Sequence, residues 1–325
     1  MTLYIIRRLI QSSVVLLLTS LVVFFGVYAV GDPVEILINP EASAAERALL
    51  IARLGLDQPI LVQYFVFLGN ALQGDLGTSF VHGVPALELI LDRFPATLEL
   101  VVVALLLSIA VGLPLGLVAG LRPKSATSGA ILTGSILGFS LPNFWQGMIL
   151  ILFFSVWLGW LPAAGRGETV EVLGVRLSLF TADGWSHVLL PALNLAVFQM
   201  ALVIRLAASG TAEARLQDYV RFARAKGVRP RRIVRVHILK NILIPIVTIL
   251  GVEFGGLVAF STITETVFAW PGMGKLLIDS IYLLDRPVVV AYLLLITLLF
   301  VTVNLVVDVA YAALDPRVKL AGETA

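Results

Sequence analysis

Residues 95–121 read PATLELVVVALLLSIAVGLPLGLVAGL, a stretch in which Glu99 is the single charged side chain. An α-helix needs about 20 mostly apolar residues to cross the hydrocarbon layer of a membrane, and this stretch is longer than that. Lipid offers no hydrogen-bonding partner to the backbone, so an isolated segment is stable there only as a helix. The stretch therefore predicts a membrane-spanning helix.

Five further apolar stretches have the same character, at residues 9–30, 127–159, 188–207, 241–264 and 288–313. The chain is 59% hydrophobic and 14% charged, with a mean hydropathy of +0.98, and a soluble domain could not bury that much apolar surface. We predict an all-α integral membrane protein with six transmembrane helices. The stretch at 9–30 is longer than the apolar core of a signal peptide, so we expect it to be retained in the mature protein.

The distribution of basic residues predicts the orientation of the chain. Residues 1–8, 122–126, 205–240 and 314–325 together hold 16 of the 23 Lys and Arg residues. Cytoplasmic loops attract positive charge, so both termini are expected in the cytoplasm. We expect residues 1–94 to form the first helix with an external segment, and residues 95–325 to form a five-helix core with a cytoplasmic loop at 208–240.

Glycine and proline interrupt two of the predicted helices. The stretch 127–159 is longer than one span requires and contains Gly138, Pro142 and Gly147, which predicts a tilted or broken helix. The second helix carries Gly112, Pro114, Gly116 and Gly120. Small residues at this spacing allow close helix contact, and mobile helix kinks are the alternative interpretation.

The cytoplasmic loop contains a basic stretch, EARLQDYVRFARAKGVRPRRIVRVHILKN, at residues 213–241. Residues 219–226 predict a short helix, Gly227 is placed to end it, and Pro230 is placed to begin the next. The composition allows a surface that faces lipid headgroups, a nucleic-acid site, which six membrane spans disfavour, or a docking helix for a cytoplasmic protein. Composition does not separate the first of these from the third.

This loop resembles the signature loop of permeases in binding-protein-dependent ATP-driven importers, and in particular the oligopeptide/dipeptide permease family. The resemblance rests on the segments DYVRFARAKG at 218–227 and HILKNILIP at 237–245. It extends along the chain through GDP at 31–33, GLDQP at 55–59, GDLGTS at 74–79, TETVFAWPGMG at 264–274 and DPRV at 315–318. Against the broader importer signature, only Ala223 and Gly227 keep the general pattern, which is typical of the peptide-type variant.

The resemblance implies a type I importer permease in the cell inner membrane and a specific set of partners. These are a second permease chain, two ATP-binding-cassette ATPases that use ATP and Mg²⁺, and an external solute-binding protein, with di- or oligopeptides as cargo. It also implies that a coupling helix in the loop sits in a cleft on an ATPase. The residues it assigns to that role are Asp218, Tyr219, Arg221, Phe222, Ala223, Arg224, Ala225, Lys226 and Gly227.

Polar residues inside the predicted helices are candidates for the translocation path. Such residues usually face the interior of a helix bundle or a water-filled cavity. Asn194, Gln199 and Glu253 are the candidates, and hydrogen bonding between helices is the alternative for each. Glu99 and Asp308 lie nearer the helix ends and are expected at the interface. An ion-coupled secondary carrier that uses Glu253 and Asp308 is the alternative function.

The sequence argues against several enzymatic functions. It contains no cysteine, and His82, His187 and His237 lack metal-ligand spacing, so we expect no metal or cofactor on this chain. The stretch Gly272-Met273-Gly274-Lys275 lacks the first glycine of a phosphate-binding loop and has Leu276 in place of Ser or Thr. We therefore expect a non-catalytic subunit whose ATPase is a separate chain. The sequence contains no motif that favours an exporter with a fused ATPase, and none that favours a membrane-embedded protease.

Overall fold

The structure is a computed structural model that describes residues 2–28, 31–38 and 41–314. The helices of its first part are α1 (Thr2–Tyr28), α2 (Pro33–Leu37), α3 (Ala44–Arg53), α4 (Ile60–Ala71), α5 (Ala86–Leu121), α6 (Ala126–Ser140) and α7 (Asn143–Leu150), which continues as a π-helix over Ile151–Trp157. A hairpin of β1 (Val170–Val172) and β2 (Val175–Leu177) follows. The remaining helices are α8 (Ala182–Ala214), α9 (Asp218–Ala225), α10 (Pro230–Arg232), a π-helix over Ile233–Ile238, α11 (Leu239–Val267), α12 (Met273–Tyr282) and α13 (Arg286–Leu314).

The predicted membrane-spanning helices are present. Five helical segments in the described residues are long and apolar enough to cross a membrane, and a bent pair, α6 with α7, makes a sixth if it counts as one span. The fold class is confirmed, with the small hairpin as an addition. Several helices are longer than the predicted apolar stretches, because the helical conformation continues into the flanking polar residues. The helix α8, for example, extends beyond residues 188–207 at both ends. The closing 315–318 segment lies outside the described residues.

The third predicted span is broken at a proline. The axes of α6 and α7 differ by 106°. Leu141, which precedes Pro142, has extended backbone angles (φ −81°, ψ 134°) and therefore cannot continue α6. A residue before proline is driven out of the helical region by the proline ring. This confirms the prediction of a broken helix for residues 127–159.

The chain divides into two compact units, one of residues 1–97 with 271–325 and one of residues 98–270. In the first unit, α1 packs against α13, and α12 also packs against α13. Phe24 of α1 meets Tyr64 and Phe67 of α4 with ring centroids 5.4 Å apart in both pairs. The hydroxyl groups of Ser20 and Tyr64 lie 2.9 Å apart. These contacts hold the short helix α4 against α1.

Two local hydrogen-bond motifs order the segment between α1 and α5. Ser43 and Glu46 form a capping box at the start of α3, and the hydrogen bonds from Ser43 hold the pKa of Glu46 below its usual value. Asp285, which is buried, accepts hydrogen bonds from Ser79 Oγ at 2.5 Å and from the Phe80 N–H at 2.9 Å. The 74–79 segment is thereby fixed to the turn before α13.

The second unit is built around α8, which packs against α6, α7 and α11. The glycines of α5 approach α8 closely. A Cβ atom added at Gly116 would lie 2.5 Å from Ala207 Cβ and 2.7 Å from the Ile204 carbonyl oxygen. Gly112 and Gly120 meet α8 in the same way. The glycine spacing in the second helix therefore serves close helix packing in this structure.

Candidate coupling surface and polar cluster

The helix α9 has a defined end at each terminus. Asp218 lies in its first turn, where a negative charge is favoured by the helix dipole. At the other end, Gly227 has a φ of +73°, its N–H donates to the Arg224 carbonyl at 2.9 Å, and the Val228 N–H donates to the Ala223 carbonyl at 3.1 Å. These two bonds form a Schellman motif with glycine in the left-handed position. The predicted stop at Gly227 is confirmed, as is Pro230 in the first position of α10.

One face of α9 packs against its own chain. Val220 is fully buried and Ala223 is 5% exposed, and both belong to an apolar cluster with Ile233, Ile238 and Ile242. Ala223 is therefore a packing residue in this structure, because its methyl group faces the core of the unit. The other residues assigned to coupling are all exposed: Asp218, Tyr219, Arg221, Phe222, Arg224, Ala225, Lys226 and Gly227.

The exposed face of α9 combines aromatic and basic groups. Phe222 is 62% exposed and Tyr219 is 39% exposed. The Lys226 ammonium lies 4.5 Å from the centroid of the Phe222 ring. Arg221 and Asp218 form an ion pair at 3.5 Å, which is exposed to solvent and contributes little to stability. We call the exposed residues of α9 the coupling surface.

Three polar side chains from three helices meet where the third span is broken. Asn194 Nδ2 of α8 donates to Asn143 Oδ1 of α7 at 2.5 Å and to Thr264 Oγ1 of α11 at 3.1 Å. Thr264 Oγ1 lies 3.1 Å from Asn143 Oδ1 and donates to it. Asn194 is 1% exposed, and its Oδ1 atom has no hydrogen-bond partner among the described residues. We call these three residues the polar cluster.

The structure does not bring the three predicted path residues together. Within the described residues, no hydrogen bond joins Asn194, Gln199 and Glu253. Gln199 is fully buried in α8, and neither its Oε1 nor its Nε2 atom has a partner in the described part of the chain. Glu253 is half-buried in α11, near Gly256 one turn later. Asn143, a polar residue inside a predicted span, and Thr264 complete the polar cluster, and neither is among the three path candidates.

A buried ion pair, which was not predicted, joins α5 to the hairpin segment. Glu99 of α5, expected at the interface, is 4% exposed and accepts hydrogen bonds from Arg166 Nε at 2.9 Å and Nη2 at 2.6 Å. It also accepts from Ser178 N–H at 2.5 Å, Ser178 Oγ at 3.0 Å and Leu179 N–H at 3.3 Å. Arg166 Nη2 donates to the Arg176 carbonyl at 2.6 Å. The hairpin segment is thus fastened to α5.

The described residues contain five long apolar helices, a bent helix pair and an exposed basic helix, and these are the features of a polytopic membrane protein. Comparisons with known proteins give the family. Residues 112–320 match the binding-protein-dependent transport system inner membrane component, and residues 1–101 match the N-terminal region of the same membrane component. The chain belongs to this family. It is the permease subunit of an ABC importer and is a multi-pass protein of the inner membrane.

Curated relatives cover almost the whole chain. The oligopeptide transport system permease protein AppB of Bacillus subtilis (strain 168) is 40% identical over 98% of this chain and 100% of its own length. The glutathione transport system permease protein GsiC of Escherichia coli (strain K12) is 38% identical over 97% of this chain and 98% of its own length. Among solved structures, the MetNI methionine ABC transporter matches with a TM-score of 0.55 and 19% identity, over 70% of this chain and 97% of that chain, which supports the fold.

Proposed function

We propose that this permease subunit imports di- or oligopeptides and is driven by ATPases that dock on the coupling surface. A second permease, two ATP-binding-cassette subunits and an extracytoplasmic binding protein complete the transporter in this proposal, with both termini of this chain in the cytoplasm. The whole-length similarity to permeases named for oligopeptides and glutathione supports the cargo class. ATP and Mg²⁺ are used by the partner subunits.

The observation that carries the docking proposal is the division of α9 into two faces. Val220 and Ala223 anchor the helix to the core of the unit, so the helix is held in place without a partner. Its outer face leaves two aromatic rings exposed among basic groups. Aromatic and arginine side chains dominate the binding energy of protein interfaces, while charges steer the encounter. A short helix presented in this way fits a groove on another protein.

The same unit offers a mechanical connection from the coupling surface to the polar cluster. The helix α9 packs against the π-helix at 233–238, which belongs to one continuous helical segment, Pro230–Val267, of 38 residues. At 1.5 Å per residue this segment extends about 57 Å. Thr264, near its far end, bonds to Asn143 just after the break in the third span. We infer that a displacement of α9 by the ATPase changes the polar cluster through rigid-body motion of this helix.

Replacing Phe222 by alanine tests the docking proposal. We expect the Phe222→Ala variant to bind the ATPase with about 30-fold lower affinity, since removal of a central aromatic anchor costs about 2 kcal/mol or more of binding free energy. The measurement is the amount of ATPase that co-purifies with the tagged permease in mild detergent at increasing salt. Phe180→Ala is the control, because Phe180 is 66% exposed but lies outside the loop. Equal retention in both variants would remove α9 from the interface.

Replacing Glu253 by glutamine tests the translocation path. We expect Glu253→Gln to change the rate of peptide uptake by several-fold without altering assembly, because it replaces the carboxyl group in the middle of α11 by an amide of nearly the same shape. ATP-dependent uptake into reconstituted vesicles measures this, with Glu171→Gln on the exposed hairpin as the control. Wild-type uptake of each peptide tested would assign Glu253 a structural role.

A further inference from the structure

The first unit contains a cavity of about 780 Å³ that the proposed import function does not use. Its walls come from α1, α3, α4, the 74–83 segment and the start of α13. The volume lies within the range of small-molecule sites, roughly 300–1,000 Å³. The cavity is large enough to hold part of an amphiphile, so the chemistry of its wall decides what it can bind.

The charged part of the wall is positive. Arg286, the first residue of α13, donates from Nη2 to the Gly31 carbonyl at 2.5 Å and lies 4.1 Å from the centroid of the Tyr28 ring. Its Nε atom is buried and has no partner among the described residues. Arg53 of α3 also lines the cavity and is exposed. Asp75 is the acidic residue of the described lining, and its Oδ1 accepts a hydrogen bond from the Gly77 N–H at 2.8 Å.

The apolar part of the wall continues onto the outside of the protein through α4. This helix has 12 residues, too few to span a membrane. Val62 and Val66 line the cavity and are 45% and 57% exposed, so they form its rim. Beside them, Leu61 and Phe65 are 60% and 67% exposed. Apolar side chains are therefore present both at the rim of the cavity and on the exposed side of α4.

Exposed apolar patches mark contacts with a membrane or with another protein, and in an inner-membrane protein we assign the exposed face of α4 to acyl chains. The guanidinium groups of Arg53 and Arg286 present planar sets of N–H donors, which match the oxygens of a phosphate. A positive pocket that opens onto an acyl-chain surface is the arrangement that recognises a lipid headgroup. A soluble anion would use the arginines and leave the valine rim without a role.

We propose that this cavity binds an anionic phospholipid from the leaflet that contacts α4. The headgroup phosphate lies between Arg53 and Arg286, and an acyl chain leaves over Val62 and Val66 to run along the outer face of α4. The site is separate from the coupling surface and does not depend on the docking of ATPases there.

The test measures lipid retained by the full chain, purified with its partner subunits in mild detergent. The protein is equilibrated with phosphatidylglycerol or with phosphatidylcholine of identical acyl chains, and bound lipid is counted by native mass spectrometry. We expect preferential retention of phosphatidylglycerol. Arg53→Glu should lower that retention about five-fold or more, because each basic residue near an anionic lipid contributes about that factor. Arg286→Gln should lower it as well.

Arg47→Glu is the control, since Arg47 lies on the same helix and is exposed, pairs with Asp32 at 3.8 Å and does not line the cavity. This variant should retain phosphatidylglycerol like the wild type. Because Arg53 is exposed, its replacement is expected to leave the fold intact and keeps the test valid if Arg286→Gln misfolds. Equal retention of the two lipids, or equal losses in the Arg47 and Arg53 variants, would overturn the proposal. Displacement of the lipid by excess glycerol phosphate would also overturn it, in favour of a soluble phosphate ligand.

Discussion

Replacing Gly116 by alanine is expected to destabilise the permease, although alanine is the better helix former. The added methyl group would lie 2.5 Å from Ala207 Cβ and 2.7 Å from the backbone oxygen of Ile204, and neither atom can move unless α8 moves. Overpacking of this kind costs about 1–3 kcal/mol. We expect a lower midpoint of thermal unfolding in detergent and a reduced yield of folded protein, and a leucine at the same position should prevent α5 from packing on α8.

The control for Gly116 is Gly134, which lies in α6, another apolar membrane helix. A Cβ atom added at Gly134 meets no atom within 4 Å. Gly134→Ala should therefore keep or raise the unfolding midpoint, because alanine is favoured over glycine in a helix by about 1 kcal/mol. The two substitutions are chemically identical, so opposite signs isolate the contact with α8. A Gly116→Ala variant as stable as Gly134→Ala would show that α5 and α8 do not approach this closely.

Most of the architecture can be predicted from the sequence, because membrane-spanning helices are recognised by their length and apolar composition. Over the residues that the structure describes, each predicted span lies within or across a helix, and the break in the third span follows from Pro142, whose ring acts on the residue before it. The end of α9 and the start of α10 can be predicted equally well, since Gly227 and Pro230 act on local backbone geometry. Effects that depend on one residue and its neighbours can be inferred from a single sequence.

Contacts between distant residues could not be inferred in this way. The polar cluster joins Asn143, Asn194 and Thr264, and the sequence around each of these residues does not indicate that it contacts the other two. The hairpin was also missed. Its turn places Leu173 and Gly174 at positive φ, 53° and 81°, and leucine at that position is not a turn signal. One clue was available for Glu99, because a carboxylate within an apolar helix needs a positive partner, and Arg166 and Arg176 follow the next span.

Replacing Glu99 by alanine should cost more than a typical substitution in this chain. The carboxylate accepts five hydrogen bonds, and its removal leaves the Arg166 guanidinium, 12% exposed, without its counter-ion. Breaking a buried ion pair by removing one partner typically costs about 3–5 kcal/mol. We therefore expect release of the 160–181 segment from α5, measured as faster amide hydrogen exchange or proteolysis in that segment and as a lower unfolding midpoint.

A double-mutant cycle separates the ion pair from the other bonds to Glu99. If the ion pair dominates, the double variant Glu99→Gln/Arg166→Gln should lose much less free energy of unfolding than the two single variants lose in sum. Each single variant leaves one unpaired charge, whereas the double variant leaves none. Additive costs would assign the effect to Ser178 and Leu179, whose N–H groups also bind the carboxylate. Glu88→Gln, at an exposed position in the first turn of the same helix, should leave exchange in the hairpin segment unchanged. The loss of stability in the Glu99 variant would then be due to the lost contact between α5 and the hairpin segment. A general effect of charge on α5 would appear in the Glu88 variant as well.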